Sequence, residues 1–66
     1  MTIIFLKEMH LELHPPDGSE STMLRFYPGK VSKCVEIIDR QDGNVTIQFA
    51  TKDKAFNVPE DSFKVK

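Results

Sequence analysis

Large apolar side chains recur at every second position over much of this chain, and this alternation restricts the fold more than any other feature. The first stretch has its apolar residues on odd numbers, interrupted only by Lys7: Ile3, Phe5, Met9, Leu11 and Leu13. The later stretches are Val45, Ile47 and Phe49, then Phe56 and Val58, then Phe63 and Val65. A period of two is typical of strands that bury one face. No window favours a long amphipathic helix, so the pattern predicts an all-β domain.

Turn-forming residues separate these stretches. Residues 15–18 (PPDG) and 28–29 (PG) combine proline with glycine, and residues 41–44 (QDGN) are typical of a tight hairpin. A polar hairpin tip is expected at residues 51–54, and a single helical turn near 59–62, where proline precedes two acidic residues. The predicted strands cover residues 2–7, 9–14, 22–27, 30–39, 44–50 and 54–58, with a short last strand at 62–66.

We expect a single domain, residues 1–66, that forms a small and partly open barrel of five or six antiparallel strands. Lys7 and Glu8 mark either a bulge in one bent first strand or the break between two strands. The strand at 30–39 has apolar residues of both parities, which is typical of a central strand or of one that bends at a barrel corner. The predicted core consists of Val31, Val35, Ile37, Val45, Ile47, Phe49, Phe56, Val58 and Phe63.

The net charge and the cysteine content argue against some classes of function. The 66 residues include 9 Lys and Arg against 10 Asp and Glu, a formal net charge of −1. A protein that binds nucleic acid mainly through bulk electrostatics is expected to be basic, so this balance argues against that class. Cys34 is the only cysteine, which excludes an intrachain disulfide and favours a reducing compartment. Neither a leader peptide nor a membrane-spanning apolar run is recognised, so we expect a cytoplasmic protein that does not enter a membrane.

Residues 29–66 carry a resemblance of architecture. The segments GKVSKCVEII, DRQDGN, VTIQF, AFNVP, EDS and FKVK follow one another as strands and turns do in small SH3-like barrels of the KOW and Tudor kind. In those folds a short helical turn delivers the last strand, and VPEDSFKV is similar to that step. The resemblance covers these 38 residues and implies a barrel architecture. The apolar strand at residues 2–6 is an addition to the minimal barrel.

A second resemblance is to the carbon storage regulator family of RNA-binding translational repressors. MTIIFL at the start and GNVTIQFA followed by FNVPEDSF are the matching segments. This resemblance implies dimers that exchange strands and an RNA partner. The basic residues that the family has near both ends are poorly matched here, and residues 9–29 do not fit it.

The segment HLELH, residues 10–14, raises the question of a metal site. On a helix His10 and His14 would lie one turn apart, but the neighbouring apolar residues require a strand. On a strand the two imidazoles are about 13 Å apart, too far to share one ion. Only Glu12 with one histidine could share a metal, and further ligands would have to come from elsewhere. We therefore interpret this segment as the solvated face of a strand, with no metal and no cofactor.

Catalytic patterns are not recognised in this chain. Cys34 lies in an apolar strand, with no base or oxyanion donor supplied by its local sequence, and packing is its expected role. The three glycines are dispersed, one to a turn, so no phosphate-binding loop is formed. We expect that the protein is not an enzyme.

The candidate binding surface is in MLRFYPGK, residues 23–30. If Leu24 and Phe26 point inward, Met23, Arg25 and Tyr27 point outward together, with Lys30 and Lys33 as neighbours. Methionine, arginine and tyrosine are enriched at interfaces, although a small barrel also exposes some apolar surface for want of polar cover.

Ile4 and Leu6 are the other candidates, because they face away from the core if Ile3 and Phe5 face it. Two large aliphatic side chains on that side require cover, so we expect docking or homodimerisation through an exposed first strand. The leading interpretation is a non-catalytic module that docks a protein partner in regulation or assembly. The alternatives are an RNA-binding translational regulator and, third, a small enzyme or metal protein.

Overall fold

A computed structural model shows an all-β chain, as the alternation predicts. It describes the backbone of all 66 residues and the side chains of all but Asp39 and Arg40. Glu60–Ser62 forms a single 3-10 turn, in the predicted place. The strands are β1 (Thr2–Phe5), β2 (Met9–Leu13), β3 (Thr22–Phe26), β4 (Val31–Gln41), β5 (Asn44–Phe49), β6 (Lys54–Pro59) and β7 (Phe63–Val65). The first stretch is thus two strands, separated near Lys7 and Glu8.

Two antiparallel sheets make up the fold. One has five strands in the order β6-β5-β4-β1-β7, and the other is a two-stranded ribbon of β2 and β3. The sheets meet in backbone pairing at one bridge, where His14 N donates to Lys54 O at 2.8 Å and Lys54 N donates to His14 O at 3.0 Å. In the described backbone β3 and β4 do not pair with each other, so the sheets do not close into a barrel.

The predicted turns form where proline and glycine place them. Asp42 and Gly43 have φ of 52° and 80°, as a two-residue hairpin between β4 and β5 requires. Lys30 N donates to Tyr27 O at 3.0 Å across the Pro28-Gly29 turn, in which Gly29 has a φ of 91°. Asp42, Gly43 and Gly29 all have a positive φ, which aspartate and glycine tolerate.

A single apolar cluster lies between the sheets. The odd-numbered residues of β1 and β2 point into it, as predicted, while Ile4 is half-buried and His10 and Glu12 are exposed. Its buried members are Ile3, Phe5, Leu11, Leu13, Phe26, Cys34, Val45, Ile47, Phe49, Ala55, Val58 and Phe63, with Met9 and Ile37 packed against them. Five predicted core residues are therefore buried in it, Val45, Ile47, Phe49, Val58 and Phe63, and Ile37 lies at its edge.

The predictions that Val31 and Val35 are core residues are wrong, since both are exposed. Ser32 pairs with buried Ile3, so Val31 faces the opposite side of the sheet together with Ile4. The register of β4 against β5 then shifts between Cys34 and Glu36, which leaves Val35 as an extra residue in a bulge. Cys34 faces inward before the bulge, in phase with Ser32, and the bulge then returns the inward position to odd-numbered Ile37.

The prediction that Phe56 is a core residue is also wrong, because its side chain is 48% exposed. Val45 pairs with Val58 and Ile47 with Ala55, so two residues of β6, Phe56 and Asn57, lie opposite one residue of β5. Asn57 has a φ of 57°, a left-handed conformation that asparagine adopts more readily than most residues. This bulge buries Ala55 in place of Phe56.

The expectation that residues 2–6 form an exposed edge is wrong. β1 lies inside the five-stranded sheet, paired with β4 on one side and with β7 on the other. A second copy therefore cannot add to β1 by backbone pairing. The edge strands in the described backbone are β6 and β7 of the five-stranded sheet and β2 and β3 of the ribbon, with β2 and β6 joined only through the bridge at His14 and Lys54.

Candidate functional site

The gap between β3 and the start of β4 is an open groove of about 360 Å³. The inner side chains of the β2–β3 ribbon form one wall, the first residues of β4 form the other, and the β5–β6 hairpin closes one end. We call this feature the open groove and define it by Leu13, Leu24, Phe26, Lys30, Lys33 and Asp53. Its floor is apolar, because Phe26 packs against the core with its ring stacked 5.9 Å from that of Phe49.

Backbone groups of β4 face this groove. Cys34 N donates to Met1 O at 2.8 Å and Phe5 N donates to Lys30 O at 2.9 Å, so positions 34 and 30 point their peptide groups toward β1. Since peptide groups alternate along an antiparallel strand, those of Val31 and Lys33 point the other way, into the groove. Lys33 O accepts from Ala50 N at 3.0 Å. The backbone N–H and C=O groups of Val31 therefore point into the gap, where another strand could pair with them.

Basic and acidic side chains lie at different sides of the open groove. Lys30 and Lys33 lie on the β4 wall and Asp53 lies at the hairpin end, where its carboxylate accepts from Thr51 Oγ1 at 3.1 Å. Neither lysine is in a salt bridge with any side chain that the structure describes. The β4 wall is therefore positive, and it favours a ligand with an acidic group at that side.

The predicted binding surface is divided between two faces of the ribbon. Lys30 and Lys33 line the open groove together with Leu24, which is 45% exposed. Met23 and Arg25 alternate with the groove residues along β3 and lie opposite Glu12 and His10 on the outer face. Arg25 is held there by an ion pair with Glu8. Tyr27 is exposed in the turn and does not line the groove.

Ile4 and Leu6 lie outside the groove. Ile4 is half-buried on the outer face of the five-stranded sheet, directly opposite exposed Val31. Leu6 follows β1 and is 46% exposed, with its backbone N donating to Ser62 O at 2.7 Å. Both face away from the core, as expected, but β1 has no free edge, and Ile4 lies on a sheet face.

The histidines of HLELH lie in different environments. His10 is exposed opposite Arg25, whereas His14 Nε2 lies 3.2 Å from Glu12 Oε1, and its ring contacts Phe56 edge-on at 5.1 Å between centroids. Among the described side chains, no group of three or more His, Cys, Asp or Glu is arranged to hold a metal ion. Glu12 is also bound by Ser21 Oγ at 3.0 Å, so the segment forms a hydrogen-bonded strand face.

Cys34 is buried in the core beside the start of the chain. Burial raises the pKa of its thiol above the ordinary value of 9.0, and the positive charge of the Met1 amine opposes that shift. Cys34 O accepts from this amine at 3.2 Å. A thiol that holds its proton is a poor nucleophile, so this environment suits packing.

A second concave site was not selected at the sequence level. Side-chain amides line a pocket of about 470 Å³ at the β4–β5 hairpin and the bulge of β6. We call it the amide pocket, and its residues are Gln41, Asn44, Val45, Thr46, Phe56 and Asn57. The asparagine at 57, inside an apolar strand pattern, was the signal for a bulge that would expose Phe56.

The chain was compared with protein-family models, curated proteins and solved structures, and none of the three comparisons finds a match. The architecture, antiparallel strands in two packed sheets, is compatible with a small barrel-like fold. In the described part of the chain, no helix is both long and apolar enough to cross a lipid bilayer.

Proposed function

We propose that this protein is a non-catalytic binding module that docks a partner protein by taking an extended segment of it into the open groove. The observation that carries this proposal is the unpaired gap between β3 and β4. An extended peptide laid in such a gap gains main-chain hydrogen bonds from a free strand edge and specificity from the side chains on either side.

The free edge of β3 supports strand addition. β3 pairs only with β2 in the described backbone, and two of its apolar residues, Met23 and Leu24, are exposed. A free edge of this kind presents unpaired N–H and C=O groups and is a template for another strand. The peptide groups of Val31 face the same gap from the other side, so an added strand would meet pairing groups on both walls.

The side chains define the segment that would fit. Leu24 is partly exposed over an apolar floor that includes Phe26, and an alternating apolar residue of the partner would bury it. Lys30 and Lys33 lie beside that floor and complement a carboxylate. The preferred partner segment is therefore extended, with apolar residues at alternate positions and at least one acidic residue near β4.

The resemblance to SH3-like barrels supports such a role. Residues 29–66 resemble KOW and Tudor barrels in the order of their strands and turns, and the 3-10 turn at Glu60–Ser62 precedes the last strand as it does there. In this proposal the module acts in the cytoplasm, in regulation or assembly. It uses Lys30 and Lys33 with Leu24 as contacts, while Met23 and Arg25 lie on the outer face of the ribbon and Tyr27 lies in the turn after β3.

Selection from a library of random short peptides displayed on phage tests the proposal directly. The enriched peptides are expected to combine alternating apolar residues with an acidic residue. Leu24→Glu should abolish their binding, because it places a charge on the floor of the groove. Met23→Glu is the matched control, since this neighbour on the same strand is 58% exposed on the opposite face.

Two outcomes would overturn the proposal. Binding that survives Leu24→Glu but is lost in Met23→Glu would place the contact on the outer face of the ribbon. A chain that selects no peptide but binds single-stranded RNA, with an affinity that falls steeply as salt rises, would support the translational-regulator alternative.

A further inference from the structure

The bulge in β6 changes which side chains of that strand face the core. It turns Phe56 out of the core and holds Asn57 at a φ of 57°, a conformation that disfavours most side chains. Bulges often re-aim a side chain beside a functional site. Phe56 is re-aimed into the amide pocket, where it is the one aromatic residue of the lining.

Three amide side chains line the same pocket as that ring. The side chains of Gln41, Asn44 and Asn57 have no hydrogen-bond partner among the described residues. Each amide offers a donor and an acceptor side by side, which is the arrangement that matches the edge of a nucleobase, and of adenine in particular. A phenyl ring supplies the stacking surface that such a base requires.

A basic site lies on the other side of the same ring. Phe56 also lines a second pocket of about 310 Å³, together with His14, Lys52 and Lys54. Neither lysine forms a salt bridge with a described side chain. His14 contacts Phe56 edge-on, which holds the ring between the two pockets. One aromatic side chain thus separates a neutral hydrogen-bonding site from a positively charged one.

We infer that the amide pocket binds the base of a purine nucleotide, stacked on Phe56, and that Lys52 and Lys54 bind its phosphate. The base is of the adenine type, because asparagine and glutamine pair with its donor and acceptor edge. The nucleotide is either free or part of single-stranded RNA, since both present the same base and phosphate. This site is distinct from the open groove and does not depend on the proposed docking of a protein segment.

Titration with adenosine, adenosine monophosphate and a short oligoadenylate, followed by amide NMR shifts, tests the inference. Adenosine is expected to shift the signals of Gln41, Asn44 and Asn57. The monophosphate should bind more tightly, and the double variant Lys52→Gln with Lys54→Gln should reduce its affinity to that of adenosine. Tighter binding of the oligoadenylate than of the monophosphate identifies RNA as the source, and equal binding identifies the free nucleotide.

Two substitutions separate the site from the fold. Phe56→Leu should weaken the binding of adenosine about fivefold to a hundredfold through lost stacking. Tyr27→Leu is its control, because that aromatic side chain is 50% exposed away from the pocket. Asn57→Gly removes one amide while keeping a residue that tolerates positive φ, so it should weaken binding with the fold intact. An absence of shifts at the amide pocket, shifts confined elsewhere, or binding of glucose in preference to adenosine would each overturn the inference.

Discussion

The ring of Phe5 lies 4.5 Å from that of Phe26, measured between centroids, with an angle of 32° between their planes. Phe5 belongs to β1 in the five-stranded sheet, and Phe26 belongs to β3 in the ribbon. This aromatic contact joins two sheets that share only one backbone bridge. The five-stranded sheet and the ribbon are therefore held together more by side-chain contacts than by backbone hydrogen bonds.

Truncation of Phe5 should test this dependence. Phe5 is fully buried, so Phe5→Ala is expected to lower the free energy of unfolding by about 3–5 kcal/mol. A domain of this size has only about 3–10 kcal/mol in total, so much of the variant should be unfolded at room temperature. Urea denaturation followed by circular dichroism measures the loss. Phe56→Ala is the control and should cost less than about 1 kcal/mol, and an equal loss in both variants would contradict the assigned burial.

Lys52 occupies a backbone conformation that suits glycine better. Its φ is 78°, in the hairpin where Lys52 N donates to Phe49 O at 2.8 Å. Lys52→Gly should stabilise the protein by up to about 1 kcal/mol, because it removes the strain of a side chain at positive φ. Lys52→Ala keeps a Cβ at the same position and should give no such gain. A glycine variant less stable than the alanine variant in thermal melts would show that the turn adopts another conformation.

Cys34 should make stability depend on alkaline pH. Burial raises the pKa of its thiol in the folded state, so the unfolded chain releases the proton first. Its contribution to stability is present below pH 9.0 and is lost as the pH rises through the folded value. Unfolding by urea on either side of pH 9.0 measures the fall, which should be smaller in Cys34→Ala. Rapid reaction of the native thiol with a disulfide reagent at neutral pH would contradict its burial.

Self-association through Ile4 and Leu6 remains a prediction. The two side chains are directed away from the core, and Ile4 lies opposite exposed Val31 on the sheet face. Sedimentation over a series of concentrations should show a dimer, and Ile4→Lys should return it to a monomer. Met23→Lys changes an exposed residue of the other sheet and should leave the dimer intact. A strict monomer at every concentration would refute the prediction.

Alternation was sufficient to assign the fold class and the inward residues of β1, β2 and β5, and proline and glycine marked the turns. It failed at Val35 and Phe56, because a single extra residue in a strand reverses the parity of everything beyond it. Nor did it show that Met23 and Lys30 lie on different surfaces, since that depends on which strands remain unpaired. The open groove results from the absence of pairing between β3 and β4, and such long-range pairing is not encoded in local periodicity.

The interior position of β1 determines when the five-stranded sheet can form during synthesis of the chain. Thr2 pairs with Lys33, and Phe5 pairs with Phe63, so the first strand has one neighbour halfway along the chain and the other almost sixty positions later. Chains dominated by such distant pairs fold slowly, on a scale of milliseconds to seconds. During synthesis the early segment must wait until the last strand has left the ribosome before its sheet is complete. Over that interval its isoleucines remain exposed to chaperones and to aggregation with other nascent chains.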